Sequence, residues 1–255
     1  MRDLSPAGNG DYMSGHSKWS TIKRKKEKTD GARAKVFTKI GREISVAVKS
    51  GGPDPSVNTK LKDVIAKAKA NNVPNDNIDR ILKKFSGDNS IVYDEITYEG
   101  YGPGGVAIIV TTATDNKNRT GPEVRHYFDK YGGNLGTTGC VSYLFSDKGV
   151  ILITEEDAGD EDKLMETALE SGASDFEYQD GVFQITTEYG DLYTVRDALE
   201  AAGYKISSAE HDKIPSMYVT LADEEQIKNM STLLEMLEDN DDVQDVYHNW
   251  ENCDD

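Results

Sequence analysis

Positive charge is scarce over most of this chain. From Asp88 to Asp255 there are 10 Lys and Arg against 37 Asp and Glu. Cysteine is nearly absent. Cys140 and Cys253 stand far apart without metal-ligand spacing, which argues against a disulfide framework and a zinc site and suits a reducing cytoplasm. No apolar run approaches the roughly 18 residues of a membrane span. The opening MRDLSPAGNGDY lacks the apolar core of a secretory signal. Residues 1–13 read as a disordered extension, and Met13, just before SGHSKW, is a candidate start. The four histidines, His16, His126, His211 and His248, share no ligand spacing, and no Ser or Cys has a recognisable base beside it. These absences supply no nucleophile, base pair or metal set, and no metal, cofactor or small-molecule substrate is expected.

The positive charge that exists is gathered at the front. Residues 14–87 carry 18 Lys and Arg against 7 Asp and Glu, a surplus of 11, while the whole chain is at −17. Solubility alone does not need segregated signs, so the block points to an anionic partner at one end. The expected contacts are His16, Lys18, Trp19, Lys23, Arg24, Lys25, Lys26 and Lys28, then Arg33, Lys35, Lys39 and Arg42 on the outward face of a helix. Lysines of this density favour phosphate oxygens over base edges. Trp19 could stack on a base, or it could simply be core. The bland alternative for the whole block is a solvated helix face.

The hydrophobic period divides the chain. Val36, Phe37, Ile40, Ile44, Ala47 and Val48 form one helical stripe, opened by Asp30 and closed by SGGPDP. A second helix is expected from about Asn58 to Asn71 and a third from Asp76. Beyond Gly87–Ser90 the period falls to 2. Strands are expected on either side of GPGG (residues 102–105), then a helix from NRTGPEV, then a strand pair over Cys140–Glu156 turning at Asp147–Gly149. A helix over Asp160–Gly172, a hairpin across Asp180–Gly181 and a helix over Asp191–Gly203 follow. Tyr204–Ala209 and Pro215–Leu221 are expected as separate strands, before a helix over Glu224–Leu237 and a last strand from Asp242 to Trp250. This is an α+β chain. A small basic helical bundle (14–87) precedes two ferredoxin-like α/β domains, one (141–211) inserted into the other (88–140 plus 212–255).

Two further motifs each admit two explanations. In YEGYGPGGVA, the stretch Tyr101, Gly102, Gly104 and Gly105 could offer backbone N–H groups to phosphate. A tight turn that needs positive φ explains it better, and no P-loop Lys follows. In TDNKNRT, one residue caps a helix, and Asn116, Asn118 and Arg119 form a second candidate nucleic-acid surface. The acidic runs EEDAGDED and EDNDD read as solvated faces and caps, or as repellers of nucleic acid.

GHSKWSTIK, KVFTKIGREI, GGPDP, YEGYGPGGVA, TDNKNRT and VRHYFDKYGGNLGTTGCVSYLF, in that order over Gly15–Trp250, closely resemble the YebC/PmpR family, which includes the mitochondrial translational activator of cytochrome oxidase. The resemblance implies a cytoplasmic, non-enzymatic protein that regulates gene expression through nucleic acid. It implies a DNA-binding transcriptional regulator or, alternatively, a ribosome-associated translation factor that relieves stalling at sequences such as proline runs by contacting ribosomal RNA. An enzyme built on the glycine turn is a distant third.

Overall fold

The computed structural model describes residues 30–85, 92–179 and 181–253. The fold is α+β: a helical head followed by two four-stranded antiparallel sheets. Residues 1–29, which include the expected extension and the most basic segment, lie outside the described residues, as does the Gly87–Ser90 stretch.

Among the described residues three helices make the head: α1 Asp30–Gly51, α2 Thr59–Ala70 and α3 Asn75–Phe85. Ile40, Ile44 and Ala47 of α1 pack on Leu61, Val64 and Ala68 of α2 and on Ile78 of α3, all buried. The spacing of three and four puts these residues on single helical faces. Asn58 fixes the turn between α1 and α2. Its Oδ1 caps Leu61 N at 3.0 Å, and its Nδ2 donates to Ala47 O at 2.8 Å and Gly52 O at 2.7 Å.

The first body sheet has the order β3-β1-β2-β8, from Asn134–Leu135, Asp94–Tyr101, Ala107–Thr114 and Val243–His248. One face carries two helices, α4 Lys117–Lys130 and the penultimate element of the chain, Glu224–Asp239. Their Val124, Phe128, Met230, Leu233 and Leu237 meet Ile108 and Val110 of β2. Buried Trp250 closes this core, its indole N–H donating to Asn252 Oδ1 at 3.0 Å. Among the described residues the other face has no helix of its own. At one end Val141, Leu144 and Phe145 cover Ala107 and Ile109. At the other, the head rests on β2 through α1.

The second sheet is built from one continuous segment. In chain order it comprises β4 Phe145–Thr154, the short α5 Glu155–Ala158, α6 Glu161–Ser171, β5 Ala173–Gln179, β6 Val182–Glu188, α7 Leu192–Ala201 and β7 Ser208–Pro215. Its order, β5-β6-β4-β7, sets the first and last strands side by side. Ile151, Ile153, Phe183 and Ile185 pack against Leu164, Ala168, Val195 and Leu199 of the two longer helices. Glu224–Asp239 is therefore α8, and it returns the chain to the first sheet. In the first sheet the hairpin β1–β2 comes before its helix, so that unit is strand, strand, helix, strand, helix, strand.

Two expectations need correction. Cys140–Glu156 is not a strand pair. Ser142–Leu144 is a 3-10 turn, and β4 runs unbroken through Asp147–Gly149. Gly149 is a packing residue, since a Cβ there would lie 2.3 Å from Thr187 Oγ1 and 2.7 Å from Leu192 Cβ. Asp147 and Lys148 stay in the ladder through ion pairs with Lys213 and Glu188 on the flanking strands. Nor are there separate strands over Tyr204–Ala209 and Pro215–Leu221. A single strand, β7, pairs with β4 from Leu152↔Ser208 to Phe145↔Pro215, past the expected limit at residue 211. Val219 makes only an isolated bridge, to Trp250.

No helix among the described residues is long and apolar enough to cross a membrane.

Candidate nucleic-acid interface

His16, Lys18, Trp19, Lys23, Arg24, Lys25, Lys26 and Lys28 lie outside the described residues. Arg33 falls within α1, but its side chain is outside the description. The other helical candidates are placed, and not as expected. Lys35, Lys39 and Arg42 follow one another at spacings of four and three, hence along one side of α1. That side faces the body. Lys35 Nζ is 2.9 Å from Asp239 Oδ1, and Lys39 Nζ donates to Glu238 O at 2.7 Å. Arg42 donates to Asp241 O at 2.7 Å and to Ala113 O at 3.3 Å, and pairs with Asp242.

The physical reason is the C-terminal end of α8. Unpaired carbonyls and the negative pole of the helix dipole gather there beside the acidic run Glu238–Asp242. Cations of a neighbouring helix satisfy both. The run EDNDD is thus neither simply solvated nor only a repeller of nucleic acid; it is the seat of the head.

Asp242 is the centre of that seat. Its side chain is 4% exposed. It accepts from Thr120 Oγ1 at 2.6 Å, Thr114 Oγ1 at 3.2 Å and Arg119 Nη2 at 2.7 Å, in addition to Arg42. Four partners from α1, β2 and α4 converge on one carboxylate. Burial pushes the carboxyl up, but the hydrogen bonds from Thr120, Arg119 and Arg42 outweigh it and hold it below the usual carboxylate range.

The second candidate surface is largely committed to structure. Asn116 caps α4, its Oδ1 accepting from Arg119 N at 3.2 Å. The Arg119 side chain, its guanidinium hydrogen-bonded to Asp242 and Asp115, is still 43% exposed. Asn118 is exposed in the first turn of α4. Tyr101 Oη donates to Cys140 O at 3.2 Å. Gly104 (φ 67°) and Gly105 (φ 81°) occupy the left-handed region that a turn of this kind needs. Gly102 is buried, and a Cβ on it would sit 2.7 Å from Met230 Sδ. The turn explanation therefore accounts for the glycines.

A second buried acid escaped sequence reading. Glu99, on β1, accepts from the N–H groups of Gly139 (2.8 Å), Val141 (3.0 Å) and Ser142 (2.9 Å). Burial raises its carboxyl and these bonds more than reverse that, leaving it below its ordinary value. It anchors the loop that covers the first sheet. Sequence reading also passed over the exposed cations of α2 and α3, Lys62, Lys69, Arg80, Lys83 and Lys84. The signal was present: basic residues crowd the last turn of both helices.

Among the described residues no group of three or more His, Cys, Asp and Glu could hold a metal ion. What the arrangement offers is a helical head seated through Lys35, Lys39 and Arg42 on an acidic turn of the body.

Comparison with known proteins places each part of the chain. Residues 17–88 match the TACO1/YebC protein N-terminal domain, and residues 93–250 match the TACO1/YebC second and third domain. A "probable transcriptional regulatory protein" of Acetivibrio thermocellus is 58% identical over 239 residues, covering 93% of this chain and 99% of that one. One of the same description from Ruminiclostridium cellulolyticum is 57% identical over 240 residues, covering 94% and 97%. The crystal structure of a conserved hypothetical protein from Aquifex aeolicus is similar with a TM-score of 0.82 at 45% identity, covering 92% of this chain and 97% of that one.

Proposed function

The chain belongs to the TACO1/YebC family, and from that membership we propose that it regulates transcription by binding nucleic acid, duplex DNA in the first instance, through its basic head. One observation carries the reading: a surplus of 11 positive charges in residues 14–87 of a chain that is otherwise strongly negative. The contact set is the arm from His16 to Lys28 with Arg33, joined by the exposed cations of α2 and α3. Lys35, Lys39 and Arg42 drop out of it, because they hold the head on the body. The acidic body turns the basic surface outward and keeps the polyanion from wrapping further. No group within this reading is assigned a catalytic step.

The test is binding measured by fluorescence anisotropy at several salt concentrations, with a DNA duplex and a structured RNA of equal length. Replacing Lys23, Arg24, Lys25 and Lys26 by Ala should weaken binding and flatten the salt dependence. The log–log slope should fall by roughly 0.7–0.9 for each phosphate the protein no longer neutralises. Unchanged slope and affinity would remove the head from the reading. A clear preference for the RNA, with co-sedimentation on ribosomes, would replace transcription by translation as the process regulated.

A further inference from the structure

We propose that the cleft where head, first sheet and second sheet meet is a binding site for a small organic cation of the diamine class. The cavity is about 200 Å³. Asp63 and Lys67 of α2 bound it from the head, Gln244 and Asp245 of β8 from the first sheet, and Tyr193 and His211 from the second. That is well beyond the roughly 10–15 Å³ a single water needs on this measure, so the cleft has room for a short organic chain.

Three buried atoms on its wall have no hydrogen-bond partner in the protein: Asp63 Oδ1, His211 Nδ1 and Gln244 Oε1. Each comes from a different one of the three units. Asp63 Oδ1 and Gln244 Oε1 are acceptors. His211 Nε2 stands 3.6 Å from Asp63 Oδ2, which sets the imidazole beside that carboxylate. Gln244 Nε2 donates to Asp242 O at 3.4 Å, which leaves its oxygen as the other end of the amide. Stacking on Tyr189, centroids 3.9 Å apart, fixes the imidazole plane. Buried acceptors without donors are costly, and a ligand rich in N–H groups is their complement.

Charge points the same way. The lining holds five carboxylates against two lysines. Lys60 is taken by Glu95, and Lys67 by Glu43 at 2.8 Å with Asp245 at 3.6 Å. Asp63 has no lysine or arginine in salt-bridge contact among the described residues. Lys67 shows what the site accepts: a primary ammonium on a short alkyl chain, held charged among carboxylates despite its burial. The acceptors do not converge as a metal site would. They suit separated N–H groups on one flexible chain.

The experiment is calorimetric titration of the full-length protein with putrescine, with sodium chloride at matched ionic strength and butanediol as controls. Saturable binding of one putrescine per chain is expected, with no response to butanediol. Asp63→Asn should weaken it about ten- to a hundred-fold, the range of one charge-assisted hydrogen bond. Gln244→Glu should tighten it, because a second carboxylate then meets the ammonium. Circular dichroism checks that both variants fold, and if Asp63→Asn does not, the sign of the Gln244→Glu effect decides alone. The proposal is overturned by the absence of saturable heat, by an equal response to the diol, or by binding indifferent to the substitutions. That last result marks general attraction to an acidic chain.

Discussion

Arg42 of the head and Asp242 of the body form an ion pair whose carboxylate is 4% and whose guanidinium side chain is 15% exposed. The pair joins residues 200 positions apart and is the most enclosed of the contacts between α1 and the acidic turn. Because the carboxylate also holds Arg119, Thr114 and Thr120, losing the two ends of the pair has different consequences.

Arg42→Ala leaves Asp242 with three partners, so it should destabilise by about 1–3 kcal/mol. Asp242→Asn leaves two guanidinium groups facing a neutral amide and should destabilise by about 3–5 kcal/mol, the range for breaking a buried pair. Urea unfolding measures both. Small-angle scattering should show a larger radius for Arg42→Ala under native conditions, with the head released from its seat. Equal, near-zero effects would mean the pair is incidental.

The acid limb of stability should depend on the same residue. Asp242 and Glu99 have lowered folded-state pKa values. Their contribution is complete above the unfolded-state values of about 3.9 and 4.3 and is lost as pH falls through the folded ones. Stability from urea melts should therefore drop below about pH 4, and Glu99→Gln should flatten that drop while lowering stability at pH 7. A slope in Glu99→Gln identical to the parent's would count against the anchor.

Lys35 and Lys39 separate seat from interface. In the nucleic-acid titration, Lys39→Ala should leave the salt slope unchanged, whereas each true phosphate contact changes it by about 0.7–0.9. Lys35→Ala, an exposed pair, should alter stability by no more than about 1 kcal/mol. A slope change for Lys39→Ala would return this side of α1 to the binding surface.

The glycine turn should behave as architecture. At Gly104 (φ 67°) a Cβ would lie 2.2 Å from Leu221 Cδ2. Gly104→Ala should therefore cost about 1–3 kcal/mol in unfolding experiments. Nucleic-acid affinity, measured where the variant is folded, should match the parent. A large loss of affinity with intact stability would make the turn a contact.

The head helices and most body elements were legible because their apolar residues repeat at the helical or strand period, as in Ile40, Ile44 and Ala47 or Ile108 and Val110. The unbroken β4 was not. Asp147–Lys148–Gly149 has the composition of a turn, and only its neighbours Lys213, Glu188 and Leu192, distant in sequence, show why it is not one. Lys35, Lys39 and Arg42 were expected on an outward face and turn to the body instead, for a related reason. Periodicity separates the polar side of a helix from its apolar side, but it does not say whether water or another domain's acids meet the polar side. Asp242 is, by sequence, one more charge in the acidic run EDNDD, and Glu99 one acid in a strand. Nothing local marks either as a hub.

The insertion between β3 and α8 also sets an order of events. β2, with Ile108, Ile109 and Val110 fully enclosed in the finished fold, finds its outer partner only in β8, which is made after the whole second sheet. The second sheet has all its strands by Pro215. During synthesis it can close while the first sheet still has an open, apolar edge. A nascent chain stopped before residue 243 would therefore hold one finished unit and one that cannot be finished, with its aggregation-prone strand waiting for β8.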